Sequence, residues 1–396
     1  MTDAVLVLNV GSSSVKLALY ALDDVSAARL RGRVTGIGTR PEADIVDADG
    51  VALAPGPAAE LAPKSSHPAC LDALLAAVAD DAAAYEVRAV GHRIVHGGRD
   101  HAEPVAIDDA VRDALEALTP LAPGHQPHNL AGVDAARKRW PEAIPVACFD
   151  TAFHRTQPRQ AELFALPRAY ADRGVIRYGF HGLSYEHIAA VAPDIVGEAA
   201  RGRLIAAHLG HGASLCAMRD GKSVATTMGF TALDGLPMAR RSGAIDPGVL
   251  LHLLQEDGMS PEAVADLLHN RSGLYGLSGV SDDMRDLLAS DDPNAAEAVE
   301  HFCYRAAREI GGLAATLGGL DALVFTAGIG EHAAPVRARI VELCGWLGAD
   351  LDPAANAADG PRISTADSTV SAWVIPTDEE SRIARGARTV LQAGRT

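Results

Sequence analysis

The chain has 396 residues, 48% of them apolar, which is material for two hydrophobic cores and unlike the composition of a disordered protein. Acidic residues outnumber basic ones 51 to 35, and a formal charge of −16 argues against nucleic acid as the main partner, because backbone binding needs a basic footprint. An anionic small molecule is still allowed, since a few arginines can dominate one cleft. The five cysteines, Cys70, Cys148, Cys216, Cys303 and Cys344, form no CxxC pair. Scattered thiols of this kind imply a reducing compartment, with neither a disulfide framework nor a zinc site. Met1-Thr2-Asp3 runs straight into a strand-like segment, and no stretch has the length and apolarity of a bilayer span. A cytoplasmic location is the expectation.

In chain order, Val5 to Val10 and Val15 to Tyr20 predict two strands of a hairpin around Gly11-Ser12-Ser13-Ser14. A Pro-, Ala- and Ser-rich loop is expected from Ala52 to Pro68, then a helix from Cys70 to Ala84 and a strand from Val87 to Val95 running into Gly97-Gly98. Ile107 to Leu118 and Leu130 to Trp140 read as helices, and Ile144 to Phe149 as a buried strand with Asp150 just beyond it. The second half opens in a similar way. Leu204 to Leu209 is a strand, Gly210 to Ser214 a turn, and Leu215 to Met218 and Ser223 to Thr227 are further strands. The repetition suggests a duplication in which each α/β half brings one Gly/Ser turn to a shared cleft. Asp246-Pro247 and Ser260-Pro261-Glu262 are helix starts, each with a capping side chain followed by Pro. A long helix is expected over Ala295 to Leu317 and a buried strand over Ala322 to Thr326, ending in the turn Gly328 to Glu331. A helix near Pro335 to Cys344, a strand at Trp373 to Ile375 and a closing helix from Glu379 to Leu391 complete the reading.

Phosphate binding needs converging backbone N–H groups, and glycine allows the closest approach. Gly11 to Ser14, Gly210 to Ser214 and Gly328 to Gly330 all stand at strand ends, where open α/β sheets place their ligand crevice. Each alone reads equally well as a tight turn; three together favour a nucleotide cleft. Arg93 and Arg241 sit in glycine-flanked loops, and a guanidinium fork matches a carboxylate or phosphoryl group as well as it matches a structural carboxylate. Asp150 and Glu379 are candidate Mg²⁺ ligands with Asn9 in support, although an acidic residue in a first helical turn needs no metal to explain it. His181 is a candidate charge stabiliser or a turn histidine. Cys148 reads as core, and His125, His128 and His154 lack metal spacing.

Together these segments resemble the acetate and propionate kinase family over essentially the whole chain. The resemblance is carried by Leu8 to Lys16, Gly91-His92-Arg93 with His96-Gly97-Gly98, Phe149 to His154, Tyr178 to Gly182, Met228 to Thr231, Arg241-Ser242-Gly243, Asp283-Met284-Arg285 and Gly328 to Glu331. It implies an α/β fold of two duplicated actin-like, sugar-kinase and Hsp70 (ribonuclease H-like) domains around a nucleotide cleft. The expected boundaries are 1–150 plus 382–396 for the first domain and 151–381 for the second, nucleotide-binding one. It further implies a homodimer and reversible transfer of the γ-phosphoryl of Mg-ATP to a small carboxylic acid, giving an acyl phosphate and ADP. By the same resemblance, Arg93 and Arg241 hold carboxylate and phosphoryl, and His181 stabilises the transition state. Asn9, Asp150 and Glu379 position Mg²⁺. Lys16, His208, Gly210, His211, Gly212, Asp283, Met284, Arg285, Gly328, Ile329, Gly330 and His332 serve the nucleotide. A carboxylate is nucleophilic at neutral pH, so the absence of an obvious general base fits.

Where the family usually has Leu and Pro lining the acid pocket, this chain has Gly124 and Ala232, while Val95 and Phe180 are kept. Each further methylene buried there would add about 0.8 kcal/mol, so an acid larger than acetate is expected. His211 and His332 replace the usual Asn near phosphates and adenosine. Ala239-Arg240 replaces Gly-Thr, Ala244 an acidic residue, and Asp378 the Asn before Glu379. The alternatives are a kinase for a larger acid such as butyrate and, in a different class, an inactive nucleotide sensor, which retention of Arg93, Arg241 and His181 opposes.

Overall fold

A computed structural model describes residues 1–11, 14–79 and 83–394, so Ser12 and Ser13 of the first glycine turn lie outside the described residues. The chain divides into two compact units, Met1–Ala152 with Asp378–Thr396, and Phe153–Thr377. The return to the first unit begins at Asp378 rather than at 382, so Glu379, expected in the second domain, belongs to the first.

Unit 1 is built on a seven-stranded sheet in the order β4-β3-β2-β1-β5-β7-β6, comprising β1 (Thr2–Val10), β2 (Val15–Ala21), β3 (Ala28–Thr35), β4 (Glu42–Asp47), β5 (Tyr85–Ile94), β6 (Val105–Ala106) and β7 (Ile144–Phe149). The first three strands are antiparallel, whereas β1, β5 and β7 run parallel. β1 is buried on both faces from Ala4 onward, as its continuous apolar run requires. Its core packs Leu6, Leu8, Leu17 and Leu19 against Leu71 and Leu74 of the helix His67–Ala77. That helix begins three residues before Cys70, because Ser66 caps it and Pro68 takes its first turn; it ends at Ala77, and residues 80–82 of the span expected to Ala84 lie outside the described residues. The helix expected from Ile107 starts at Asp109, capped by Asp108. On the opposite face lies the helix Glu379–Ala393.

Unit 2 carries a five-stranded sheet in the order β10-β9-β8-β11-β12, with β8 (Arg203–Leu209), β9 (Ala213–Arg219), β10 (Lys222–Thr226), β11 (Ala322–Thr326) and β12 (Ser371–Val374). β8, β9 and β10 are antiparallel, and β8, β11 and β12 parallel. This repeats the order and directions of β3-β2-β1-β5-β7, so the duplication suggested by two glycine hairpins extends to five strands. Asp246 and Ser260 cap their helices, accepting from the Gly248 and Ala263 N–H groups. Two readings need correcting, and one helix was missed. Gly328 to Glu331 is not a turn but part of a short helix, Ala327–His332. β12 starts at Ser371, two residues before Trp373. The helix Gly182–Val196, hidden by Pro193 inside it, was not anticipated.

Candidate active site

In unit 1 the candidate side chains collect where β1, β5 and β7 end. Asn9 is the penultimate residue of β1, Arg93 that of β5, and Asp150 follows β7. Arg93 grips Asp150 with Nη2 2.6 Å and Nε 3.0 Å from the two carboxylate oxygens, and its Nη1 donates to Asn9 Oδ1 at 3.2 Å. Asn9 Nδ2 in turn donates to Glu379 Oε2 at 3.2 Å. Glu379 reaches this point because its helix lies close on the sheet. A Cβ at Gly91 would stand 2.6 Å from Ile383 Cγ2, inside any normal contact. Burial alone would lower the Arg93 guanidinium, but Asp150, Glu379 and Glu380 outweigh it and keep the charge on Arg93. Burial raises the Asp150 carboxyl above the ordinary carboxylate range; Arg93 pulls it down and Glu379 pushes it up again. Among the described residues, no three His, Cys, Asp or Glu side chains converge as a metal cage.

The remaining unit 1 candidates divide. Val95 is buried, its N–H held by Asn129 Oδ1 at 2.9 Å. Gly124 is exposed, and a Cβ there would meet nothing within 4 Å. Lys16 stands on the exposed face of β2, 3.8 Å from Glu380, in a groove shared with Arg31, Arg33 and Asp44. Cys148 is core, its Sγ 3.8 Å from the Ile383 carbonyl.

In unit 2 the site is built around two stacked imidazoles. His181, in the left-handed conformation with φ of 59°, caps the helix Gly182–Val196 and packs face to face on His208, ring centroids 4.1 Å apart. A non-glycine residue held at positive φ costs about 1–3 kcal/mol and persists where its surroundings enforce it. His154 does part of this. Its Nε2 donates to the Phe180 carbonyl at 2.9 Å while its Nδ1 faces Ser223 Oγ at 2.9 Å. His181 Nδ1 lies 2.8 Å from Ser214 Oγ, and Ser214 Oγ lies 2.5 Å from the Tyr185 hydroxyl.

The Gly210–Gly212 turn faces these rings. A Cβ at Gly212 would stand 2.9 Å from Arg241 Nη2 and 3.1 Å from His181 Nε2, so the glycine leaves a small space bounded by a guanidinium and an imidazole nitrogen. Arg241 Nη1 is anchored on the Ala232 carbonyl at 2.6 Å, which is independent of the side chain at 232. Phe180 is buried beside His181. His211 is largely exposed, 3.6 Å from Asp282, which also takes Arg240 at 2.6 Å. Gly328, Ile329 and Gly330 form the short helix after β11, and His332 at its end is exposed. Glu331 ties that helix to the segment after β12, accepting from Ala327 N at 2.7 Å and Thr377 N at 3.1 Å. Asp283 and Arg285 pair with each other at the start of the helix Met284–Leu288, whereas the Met284 side chain is buried and turned into the protein.

Sequence reasoning missed the groups that hold these rings: Ser184, Tyr185, Ser214 and Thr377. One signal was present, since Tyr185 follows His181 by four residues and an emerging helix puts such pairs on one face.

Duplicated α/β units, a buried histidine pair and Arg241 beside the Gly212 turn fit a phosphotransferase. Residues 4–385 match the profile of the Acetokinase family. Acetate kinases of Rhodopseudomonas palustris strain TIE-1 and Rhizobium meliloti are 51% and 49% identical, with 100% and 99% of both chains covered. Among solved structures, a propionate kinase from Francisella tularensis gives a TM-score of 0.87 at 34% identity, covering 97% of this chain and 98% of that one. Porphyromonas gingivalis acetate kinase gives 0.83 at 35%, covering 98% and 100%. The chain therefore belongs to the acetokinase family: it is an ATP-dependent kinase of a short-chain carboxylate, with the fold of the acetate and propionate kinases.

Proposed function

We propose that Arg241 and His181 hold the transferring phosphoryl group, that Arg93 binds the carboxylate, and that acetate or propionate is the acid. The Gly212 turn carries the reading, because Arg241 Nη2 and His181 Nε2 both close on it, so a phosphoryl group lying against the turn would be in reach of both. A carboxylate oxygen attacks the γ-phosphorus, the bond to the β–γ bridging oxygen breaks, and ADP leaves with that oxygen; no proton is transferred. Positioning and charge neutralisation then supply the catalysis. The nucleotide falls to His208, Gly210, His211 and Gly212 at the turn and to Asp283, Arg285, Gly328, Ile329, Gly330 and His332 in the same unit. Met284 would contribute backbone only, and Lys16 is a weaker candidate given its pairing with Glu380.

A divalent cation fits the charge of the unit 1 cluster, since Asn9 bonds to both Glu379 and Glu380 and burial, with repulsion from Glu379, disfavours the charge of Asp150. Mg²⁺ would take Glu379 or Asp150, directly or through water, with Asn9 supporting, and would neutralise phosphate charge when bound. Two domains follow the two units, with the return placed at Asp378. A homodimer is supported by the helix Pro247–Gln255, whose Val249, Leu251 and Leu254 are all exposed. A cytoplasmic location accords with five free, buried thiols; no helix among the described residues is long and apolar enough to cross a membrane.

Trapping acyl phosphate with hydroxylamine across acetate, propionate and butyrate tests the acid. A higher kcat/KM for propionate than for acetate would assign the open space at Gly124 to the longer chain, and a steep fall would exclude it. Omitting Mg²⁺ should abolish product; product at an undiminished rate would remove the metal.

A further inference from the structure

Each imidazole of the stacked pair is backed by a buried serine and then by a second hydroxyl. His181 Nδ1 faces Ser214 Oγ at 2.8 Å, with the Tyr185 hydroxyl 2.5 Å behind it. His208 Nδ1 faces Ser184 Oγ at 2.8 Å, and Thr377 Oγ1 donates to that oxygen at 2.9 Å. Both serines and Tyr185 have no solvent exposure. A phenol proton buried this deeply must be donated, and Ser214 Oγ is the acceptor in reach. Burial keeps the phenol protonated, pushing it well above its ordinary range. With its oxygen accepting from Tyr185, the Ser214 hydroxyl gives its own proton to His181 Nδ1. The same order holds from Thr377 through Ser184 to His208. A neutral imidazole that accepts at Nδ1 carries its hydrogen on Nε2. Both Nε2 atoms border the glycine turn, at 3.1 Å from the Cβ position of Gly212 for His181 and 3.8 Å from that of Gly210 for His208.

We propose that Tyr185–Ser214 and Thr377–Ser184 are tautomer locks, positioning residues that make His181 and His208 present an N–H, and not a lone pair, to the phosphoryl groups. The consequence for catalysis rests on the reading of His181 given above; the tautomer itself does not. With the lock removed, the Nδ1–H form becomes accessible and turns a lone pair toward an anion.

The test uses the full-length enzyme labelled with ¹⁵N-histidine at pH 8, with two-bond ¹H–¹⁵N correlation spectra assigned through His181→Gln and His208→Gln. Wild type should show an unprotonated Nδ1 and a protonated Nε2 at both histidines. Tyr185→Phe and Ser214→Ala should give a mixed pattern at His181 and lower kcat roughly three- to tenfold, the worth of one hydrogen bond. KM for acid and for ATP should stay within about twofold, and Ser214→Thr should restore both pattern and rate. A proton on His181 Nδ1 in wild type would overturn the proposal whether or not any variant folds. So would unchanged pattern and kcat in Tyr185→Phe, if His181→Gln is severely impaired. Full activity in His181→Gln would instead overturn the catalytic reading and leave the tautomer assignment standing.

Discussion

At the scale of single residues, Arg93 and Arg241 make a useful contrast. Arg93 neutralises a fully buried carboxylate, so Arg93→Ala should cost about 3–5 kcal/mol of stability as well as activity, seen as a lowered denaturation midpoint. Gly124→Leu and Ala232→Pro test the proposed preference for a longer acid, and Pro at 232 keeps the carbonyl that anchors Arg241. The double variant should lower the propionate-to-acetate ratio of kcat/KM about fourfold, one methylene's worth, and an unchanged ratio would mean that neither position governs acid length. Buried histidines set the acid limit of stability. Burial, reinforced by Arg137, pushes His92 down to about 3, and burial with Arg155 pushes His154 down to about 4 despite its bond to the Phe180 carbonyl. The unfolded chain takes up these protons near pH 6.5 and the native protein does not, so stability is full above 6.5 and drains as pH falls toward 4 and then 3. Each should cost about 2 kcal/mol between pH 7.5 and pH 5. Among the described residues, neither ring nitrogen of His92 has a hydrogen-bond partner, so His92→Leu should flatten its share of that slope without loss at pH 7.5. Residues such as Asn9, Arg93, Asp150 and His181 were legible because each sits in a short motif at a strand end. Ser184, Tyr185 and Thr377 were not, because what selects them is a partner far along the chain: Thr377 meets Ser184 across 193 positions.

Among the elements, those with one dominant signal were legible. Ile144–Phe149 and Ala322–Thr326 are continuous apolar runs and fall where expected, and the Asp-Pro and Ser-Pro helix starts hold. β3 and β4 were passed over. In β3, Leu30, Gly32 and Val34 point inward between exposed Arg31, Arg33 and Thr35, a strict alternation diluted by a glycine on the core side. The helix Glu379–Ala393 was foreseen, but not that its contact with β5 depends on Gly91. Gly91→Ala should therefore cost about 1–3 kcal/mol through overpacking against Ile383. It should also weaken the apparent Mg²⁺ affinity of the kinase reaction, since Glu379 moves with its helix. A tolerated substitution, with midpoint and Mg²⁺ dependence unchanged, would show that the helix position does not govern the site.

For the whole molecule, the two hairpins near Asn9 and His208 were a faint sequence sign of duplication, and five matching strands in each sheet are its full extent. The sign was faint because side chains diverge while strand order persists. The exposed leucines of Pro247–Gln255 should be covered in a dimer, so light scattering should give about twice the 41.1 kDa chain mass. Leu251→Asp with Leu254→Asp should return the mass to that of one chain, and a wild-type monomer would refute the dimer outright. The most direct test of the catalytic assignment is acyl phosphate formation by His181→Gln and Arg241→Ala, beside wild type, with thermal midpoints recorded. The expected result is a fall in kcat of about 10²–10³ for each at a midpoint close to wild type. A kcat within threefold of wild type in either folded variant would contradict the phosphoryl site placed at Gly212.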